Sequence, residues 1–510
     1  MCGIAAIIDP RAAGEDLAAI ARRSRDLRVM LERIRHRGDE ECFAESAARP
    51  GVAFGTNRLA IVDREHARQP QCDPDGLVEV VYNGELYGFQ DLRAELEALG
   101  RTFSTTSDTE ILIHAYLQWG VEFIDRLDGM YAFVLHDRRT GDFLAARDHI
   151  GIKPLYHAVK DGVHYFASEQ KCLLGYVEEI DTVPPGSYLL NGGAPVRHFE
   201  LSEEPPELSE AEVVARYREL FDDAVRKQVD TDLPVAVLFS GGIDSAVVLE
   251  AARRFHPNVT AFTVGFEGAA DIEVAKRYCA ENGIPHVVSH LDRDALVEAI
   301  GEVAFGAEFF EAIDVMDSCV AYFAYRLVKE HGFKVALCGE GSDEVLAGYD
   351  LFKKHPDPLA LMRYRVGNLH RTDLQRVDRT SMLNSVETRV PFMDRFVLQF
   401  GYSVPMSLKI RDGVEKWVLR QAFKDSLPAY IADRPKVRMP DGSGLKNTLM
   451  EYARQTEVPA DEVSTALGID TTEGRFFLRE YLKAGYPVPR ERFKTAGFDY
   501  SPNGYFEFIS

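Results

Sequence analysis

The chain has 510 residues, 27% of them charged, and a formal net charge of −22. The length predicts at least two domains, while the acidic balance and the lack of a basic stripe argue against a nucleic-acid partner. No apolar stretch approaches the roughly 18 residues that span a membrane, and the seven cysteines show neither metal-ligand nor paired spacing. With no signal peptide recognisable at the N-terminus, we expect a protein of the reducing cytoplasm and no membrane partner.

The first 200 residues are predicted to be rich in strands. Short apolar runs alternate there with Gly, Asn and Asp turns, which is typical of β-strands. The predicted strands cover residues 4–8, 77–82, 130–135, 143–146 and 163–167. Helical periodicity predicts helices over residues 17–34, 90–99 and 108–119.

A charged segment with two prolines, residues 202–210, is the predicted linker between a domain over 2–201 and a domain over 211–510. Beyond it, the pattern predicts alternating helices and strands. In chain order these are a helix over 211–229, a strand over 235–239, a helix from Ala246 and a strand over 259–264. Strand, helix and strand with short connections predict a parallel sheet wound with helices. We therefore expect a two-domain α/β protein.

Cys2 directly follows Met1. Removal of the methionine would place a thiol nucleophile and a free α-amine on one residue, and the ordinary pKa of such an amine, about 7.7 to 8, lies near working pH. Cys2 is therefore a candidate catalytic nucleophile. A buried structural cysteine at the start of a strand is the alternative interpretation.

The turn Ser240-Gly241-Gly242-Ile243-Asp244-Ser245 lies between a predicted strand and a predicted helix. Backbone N–H groups in such a glycine turn, together with the helix dipole, form a cradle for phosphate. The P-loop of nucleoside triphosphatases requires a lysine that this turn lacks. The S-G-G-x-D-S pattern is instead that of ATP pyrophosphatases, and a plain strand-to-helix turn is the alternative.

A further predicted strand, residues 334–337, ends in Cys338-Gly339-Glu340-Gly341-Ser342-Asp343-Glu344. Glycines and carboxylates at the carboxyl end of a strand are typical of a ligand site in an open α/β sheet. Carboxylates beside a triphosphate need a cation between them, so we expect Mg²⁺ bound by Asp244 and Asp343. A solvated acidic loop is the alternative.

Several motifs in order give the chain a close resemblance to the glutamine-dependent asparagine synthetases, over Cys2 to about Lys436. Those enzymes join an αββα N-terminal-nucleophile amidotransferase domain to a parallel-sheet ATP-pyrophosphatase domain that adenylates its substrate. Besides the sequences already quoted, the matching residues are Arg58 to Asp63, Asn83 to Tyr87, Ser107 to Glu110, Arg147-Asp148, Gly151 to Tyr156 and Glu387 to Phe392.

The resemblance implies a role for each matching residue. It makes Cys2 the nucleophile, and Asn83 and Gly84 the oxyanion hole. It implies that glutamine is held by Arg58, Glu85 and Asp108. It also implies catalytic roles for Glu340 and Lys436. ATP is expected to be held by Leu238, Ser240, Gly241, Gly242, Asp244, Ser245, Val264, Gly339 and Glu340. The expected partners are glutamine and a carboxylic acid acceptor, and the assembly compatible with the resemblance is a homodimer.

The acceptor is the weakest part of the resemblance. Counted back without gaps from Cys338, the arginine of a family Thr-Thr-x-Arg run becomes Met316, with Asp314 and Asp317 adding negative charge. A pocket without that cation would hold the α-carboxylate of aspartate poorly. The expected acceptor is then another biosynthetic acid. Alternatively, Arg326 or Lys353 supplies the cation and aspartate is the acceptor.

Two further readings stay open. β-Lactam-forming synthetases resemble the same fold but close a ring within one substrate, and they carry Tyr at the position of Glu340 and a disabled glutaminase half. A non-catalytic amino-acid sensor is the other possibility. It would not need Cys2, Asp244, Asp343 and Lys436 all to be present.

Overall fold

The structure is a computed structural model that describes residues 1–12, 16–38, 50–436 and 445–489, without the side chains of 445–447. The chain divides into two compact units, Met1–Glu200 and Leu201–Ser510. In the described part of the chain, no helix combines the length and the apolar character that a membrane crossing requires.

The first unit contains two antiparallel sheets. Its strands are β1 Cys2–Ile8, β2 Val52–Arg58, β3 Gln71–Cys72, β4 Val78–Leu86, β5 Gly129–Asp137, β6 Asp142–Arg147, β7 Tyr156–Lys160, β8 Val163–Ala167, β9 Asp181–Thr182, β10 Ser187–Leu190 and β11 Val196–Arg197. One sheet has the order β2-β1-β8-β7-β9 and the other the order β11-β10-β6-β5-β4-β3. Its helices are α1 Leu17–Glu32, α2 Phe89–Ala98 and α3 Asp108–Trp119, with 3-10 turns at Arg35–Arg37, Gly120–Arg126 and Gln170–Cys172.

Strand β1 shows how the layers of this unit pack. Side chains of a strand alternate between its two faces. Ile4 and Ile8 face a core shared with the second sheet, whereas Ala5 and Ile7 face a core shared with helix α1. Helix α3 covers the outer face of the second sheet. The unit is therefore a helix, sheet, sheet, helix sandwich, as predicted.

The second unit contains one wholly parallel sheet. Its strands are β12 Val235–Leu238, β13 Val259–Gly265, β14 His286–His290, β15 Val335–Leu337 and β16 Glu387–Arg389, in the order β14-β13-β12-β15-β16. The parallel α/β class predicted for this unit is confirmed. From β12 the chain adds β13 and β14 on one side and then crosses back to place β15 on the other side of β12. The carboxyl ends of β12 and β15 therefore meet at a switch point, where ligands bind in such sheets.

Helices surround this sheet. They are α4 Glu210–Gln228, α5 Ile243–Phe255, α6 Ala270–Glu281, α7 Arg293–Ala307, α8 Ala312–Glu330, α9 Ser342–Val345, α10 Asp350–Lys354, α11 Pro358–Asn368, α12 Asp373–Leu383, α13 Arg395–Ser403, α14 Met406–Lys409, α15 Trp417–Phe423, α16 Ala429–Ala432, α17 Leu445–Gln455, α18 Glu462–Ala466 and α19 Thr472–Lys483. Leu369–Arg371 and Pro391–Met393 are 3-10 turns.

Two details differ from the sequence-based expectation. Helix α5 begins at Ile243, three residues before the predicted start at Ala246, so the second half of the S-G-G-x-D-S turn, Ile243 to Ser245, begins the helix. The predicted linker is also anchored to the second unit. The backbone of Ser202 exchanges two hydrogen bonds with the Gln399 side chain, and Glu203 forms an ion pair with Arg363.

Candidate active sites

The thiol site lies at the start of β1. Cys2 is buried and pairs with Arg58 across the β1–β2 ladder. The main-chain nitrogen of Cys2 donates to Asn83 Oδ1 at 3.0 Å, and Arg37 Nε donates to the Cys2 carbonyl oxygen at 3.2 Å. Asn83 belongs to β4 in the other sheet. Once Met1 is removed, the same nitrogen would be the α-amine, held beside the thiol by Asn83.

The other end of the Asn83 amide is a buried donor. Its Nδ2 atom has no hydrogen-bond partner among the described residues, although Asn83 is fully buried. Leaving a buried donor unsatisfied costs about 1–3 kcal/mol. Such a donor is suited to a ligand oxygen, and a fixed donor next to a nucleophile stabilises the oxygen on which negative charge develops during attack.

Gly84 follows Asn83 on β4 and pairs with Tyr131 of β5. A Cβ atom at this position would lie 2.2 Å from the carbonyl oxygen of Met130, so the strand pairing requires glycine. This packing requirement holds independently of any role in catalysis. It fixes the backbone of β4 directly beside Asn83.

The residues expected to hold glutamine surround the same stretch of β4. Asp108 Oδ2 accepts hydrogen bonds from Tyr82 Oη at 2.9 Å and from Leu86 N at 3.1 Å. Glu85 belongs to the same strand, directly before Leu86, and is buried. The Arg58 guanidinium donates to the carbonyl oxygens of the loop after β2, at Val62, Asp63 and Arg64. The structure thus brings together all the residues predicted for the first site.

The sequence analysis missed Gln69. Its Oε1 accepts a hydrogen bond from Tyr82 N at 2.7 Å, which fixes the orientation of the amide, and its Nε2 therefore points to Cys2 Sγ at 3.8 Å. Gln69 is 67 residues from Cys2 in the chain and lies in a loop without regular spacing. A buried ion cluster is also near: Arg37, which holds the Cys2 carbonyl, pairs with Glu169.

In the second unit, the turn after β12 is held by its own hydroxyl groups. Ser245 Oγ accepts a hydrogen bond from Ser240 N at 3.2 Å and donates to Gly242 O at 3.1 Å. Gly242 is the N-cap of α5 and supplies no side chain to cap it, while Gly241 precedes it with a φ of 71°. The first N–H groups of a 13-residue helix are thus available for an anion.

Two carboxylates and two ammonium groups meet beside this turn. Lys416 Nζ lies 2.7 Å from Asp244 Oδ1 and 2.5 Å from Asp343 Oδ1, and Lys436 Nζ lies 2.6 Å from Asp343 Oδ2 and 3.6 Å from Asp244 Oδ2. Burial opposes ionisation of Asp343, but Lys416 and Lys436 hold its pKa below the ordinary value. Asp343 and Asp244 raise the pKa of Lys436 against the opposing effect of burial. Sequence reasoning missed Lys416, which is 172 residues from Asp244.

Three of these four side chains, those of Asp244, Asp343 and Lys436, line one cavity at the carboxyl ends of β12, β13 and β15. Of the residues predicted to bind ATP or to act on it, this cavity is lined by Leu238, Ser240, Asp244, Ser245, Val264, Gly339, Glu340, Asp343 and Lys436. Gly339 brings the turns after β12 and β15 into contact, because a Cβ atom there would lie 2.9 Å from the main-chain carbon of Asp244. Apolar Leu238 and Val264 at one wall suit a flat aromatic base.

The two units match two known family models in the same order. Residues 1–204 match the glutamine amidotransferase domain model, and residues 216–362 and 354–496 match the asparagine synthase model. The chain is 34% identical to asparagine synthetase [glutamine-hydrolyzing] 2 of Oryza sativa subsp. japonica, over 98% of this chain and 88% of that protein. Asparagine synthetase [glutamine-hydrolyzing] 2 of Arabidopsis thaliana is also 34% identical, over 98% and 89%. The chain belongs to the glutamine-hydrolysing asparagine synthetase family.

Members of this family are ligases that form C–N bonds, so the chain is an enzyme of that class. Among solved structures, glutamine phosphoribosylpyrophosphate amidotransferase from B. subtilis, complexed with ADP and GMP, superposes with a TM-score of 0.32. It is 18% identical, and the superposition covers 56% of this chain and 65% of that chain.

Three carboxylates surround one guanidinium group at the end of the cavity next to Glu340. Arg376 Nη2 lies 3.1 Å from Glu340 Oε2 and 2.7 Å from Asp373 Oδ1, and Arg376 Nη1 lies 3.5 Å from Asp317 Oδ2. Burial raises the pKa of Glu340 above its ordinary value, and Asp373 and Asp343 add to the rise against Arg376 and Lys436.

The expectation that Met316 replaces a cation in the acceptor pocket is wrong. The Met316 side chain is completely buried in an apolar core between α7, α8 and the C-terminal helices. The neighbouring residue Asp317 lines the cavity instead. One residue along a helix is a rotation of about 100°, so a gap-free count along the chain does not determine which side chain faces the cavity.

Neither alternative cation reaches this cavity. Arg326 is an exposed partner of Glu330, and Lys353 pairs with Glu415 at 2.7 Å. In the described chain, the cations that line the cavity are Arg376 and Lys436. Sequence reasoning missed Arg376, because α12 carries two arginines, Arg376 and Arg379, and the sequence does not indicate which of them faces β15.

Asp244 and Asp343 fit a magnesium site. Magnesium is usually bound by one or two carboxylates together with substrate phosphates, and here two carboxylates approach within hydrogen-bond distance of one ammonium group beside an anion cradle. When bound there, magnesium would offset the charge of the phosphates.

Proposed function

We propose that this chain is a glutamine-dependent and ATP-dependent amide synthetase. The observation that carries the proposal is the convergence of Asp244 and Asp343 beside the hydroxyl-braced turn of Ser240 and Ser245. An uncapped helix N-terminus, two carboxylates for a divalent cation and two lysines form a site for a triphosphate. A site for a simple carboxylic acid would not need them.

In the first unit, Cys2 Sγ attacks the amide carbon of glutamine. A C–S bond forms, the C–N bond breaks, and the departing ammonia takes a proton that the α-amine of Cys2 carries. Asn83 Nδ2 donates to the oxyanion, and the backbone at Gly84 completes that side of the site. Arg58 would hold the α-carboxylate of glutamine, and Glu85 and Asp108 its α-ammonium. Water then cleaves the thioester to glutamate.

In the second unit, a carboxylate oxygen of the acceptor attacks the α-phosphorus of ATP. The bond to the β-phosphate oxygen breaks, and pyrophosphate leaves with that oxygen, held by the turn from Ser240 to Ser245 and by Lys436. The ammonia nitrogen then attacks the acyl carbon beside Glu340. The C–O bond to AMP breaks, the nitrogen loses a proton, and an amide remains. The adenine ring packs against Leu238 and Val264.

The two alternative functions, a ring-forming synthetase and an amino-acid sensor, predict different reactions. A ring-forming relative would use an amine of its own substrate and would gain nothing from glutamine. A sensor would bind its ligand without releasing pyrophosphate. Glu340 and Cys2, which resemble the amide-forming enzymes, support external ammonia. We also place the enzyme in the cytoplasm, where thiols remain reduced.

The direct test is a screen of carboxylic acids for pyrophosphate release with the full chain, ATP, magnesium and ammonium. AMP and pyrophosphate formed in equal amounts with an amide would support the proposal. Formation of ADP and phosphate, or binding of acids without turnover, would refute it.

A further inference from the structure

The cavity ends in four charged side chains, which we call the acceptor end: Asp317, Glu340, Asp373 and Arg376. Arg376 is 6% exposed, and the two aspartates are 7% exposed. All three carboxylates lie within 3.5 Å of the same guanidinium group. Arg376 is therefore surrounded by its own counter-ions before any substrate arrives.

Helix α8 contributes one wall of this end. Asp317, Val320, Ala321 and Ala324 all line the cavity, at the spacing of one helical face. The three apolar side chains on that face are small, so they leave room beside Asp317. Tyr325 lies one turn further along the same face, so Asp317 is the charged side chain of α8 that lines the cavity, and its charge is weakly screened by water because the neighbouring side chains are apolar.

The charge balance of the acceptor end is negative. Within this set of four, one guanidinium against three carboxylates gives a net charge of −2, and protonation of Glu340 would still leave −1. Two cations from outside the set also act on it, Lys436 on Glu340 and Arg365 on Asp373, and each has a carboxylate partner of its own, Asp343 and Glu344. A ligand ammonium group placed here gains a charge-assisted hydrogen bond, whereas a further carboxylate meets uncompensated like charge. Arg376 cannot offset a second anion without giving up a carboxylate that it already binds.

We propose that the acceptor is a carboxylic acid that carries an ammonium group and no second anionic group, and that Asp317 and Asp373 bind that ammonium. The inference rests on the proposed function, because it assigns the acceptor of that same reaction. It makes Asp317 a specificity-determining residue. Aspartate satisfies the first condition and fails the second.

Four small acids separate the two conditions. 3-Aminopropanoate is aspartate without its α-carboxylate, succinate is aspartate without its ammonium, and propionate lacks both. The measurement is kcat/KM for acid-dependent pyrophosphate release, with saturating ATP, magnesium and ammonium. We expect the ammonium to raise kcat/KM by about tenfold to a hundredfold, and the second carboxylate to lower it by about tenfold or more. A second carboxylate that raises kcat/KM would overturn the inference.

The Asp317→Asn variant tests the residue itself, with Glu330→Gln on the exposed face of the same helix as the matched control. We expect Asp317→Asn to lower kcat/KM for 3-aminopropanoate by about tenfold. The ratio of this value to kcat/KM for propionate should therefore fall. The KM for ATP and the glutaminase rate are expected to stay unchanged. An equal loss for both acids would show that Asp317 acts only in folding or packing, and would overturn its assignment.

Failure of this inference is distinguishable from failure of the proposed function. If no carboxylic acid in the wider screen releases pyrophosphate, the proposed function fails. If the wider screen finds an acceptor but the four small acids are inactive, the charged groups of that acceptor test the inference. A monoanionic acid with an ammonium supports the inference, and a dianionic or amine-free acid overturns it.

Discussion

Lys416 Nζ lies 2.7 Å from Asp244 Oδ1, and the same nitrogen contacts Asp343. Lys416 is almost completely buried and has a left-handed backbone, with a φ of 55°, at the residue before helix α15. A non-glycine residue pays for that conformation. The ammonium group offsets that cost by joining the segments that follow two neighbouring strands, β12 and β15.

We expect Lys416→Met to destabilise the second unit, because it removes one of the two ammonium groups that pair with Asp244 and Asp343 and leaves both carboxylates to Lys436. Removal of one partner from a buried pair typically costs about 3–5 kcal/mol. Magnesium should recover part of the loss, since the proposed magnesium site uses the same carboxylates. Thermal unfolding with and without magnesium measures both effects, with exposed Lys424→Met as control. An unchanged midpoint without magnesium would contradict the assignment of this ion pair.

Asn83→Ala removes the buried Nδ2 donor beside Cys2. Loss of one oxyanion-hole donor lowers kcat by about 10²–10³-fold. We expect a fall of that size in glutamine hydrolysis, while synthesis from added ammonium continues. Steady-state glutaminase assays and ammonium-dependent pyrophosphate release make the comparison within one preparation. A loss of less than about threefold in glutamine hydrolysis would exclude the donor role.

Gln69→Glu keeps the acceptor for Tyr82 N but replaces the amide donor that faces Cys2 Sγ with a carboxylate. Repulsion between this carboxylate and a thiolate should slow alkylation of Cys2 by iodoacetamide by about tenfold. The control is Gln118→Glu, which keeps an acceptor for Arg101 near the surface. Equal alkylation rates in the two variants would show that Gln69 only supports the backbone.

Lys409 is completely buried, and burial lowers the pKa of its ammonium group from 10.5 to about 7, against the opposing charge of Glu203. Between these two values the unfolded chain binds the proton and the folded chain does not. The free energy of unfolding therefore rises as pH increases from about 7 to about 10. Lys409→Met should stabilise the protein at pH 7 and flatten this rise. Urea unfolding at several pH values tests it, and a rise that persists in Lys409→Met would be the contrary result.

Local patterns in the sequence were sufficient for most of the architecture. Helix α3 matches its predicted bounds because Ser107 caps its start and Gly120 ends it, and the S-G-G-x-D-S turn lies where a strand precedes a helix. These features depend on residues close together in the chain. The same holds for the parallel sheet, which follows from alternating strands and helices.

Long-range contacts account for what the sequence did not reveal. Lys416, Arg376 and Gln69 reach their sites through tertiary packing, and no spacing connects them with Asp244, Glu340 or Cys2. The error at Met316 has a different origin. Alignment by count gives a position along helix α8, but only the packing against α7 and the C-terminal helices determines which face points into the core.

The central claim is that one chain makes ammonia at Cys2 and uses it at the acceptor cavity. The Cys2→Ala variant tests this most directly when amide and pyrophosphate are measured with either glutamine or ammonium as the nitrogen source. We predict that glutamine-dependent synthesis is abolished and that ammonium-dependent synthesis is largely retained. Loss of both activities in a folded variant, or full glutamine-dependent synthesis, would contradict the account.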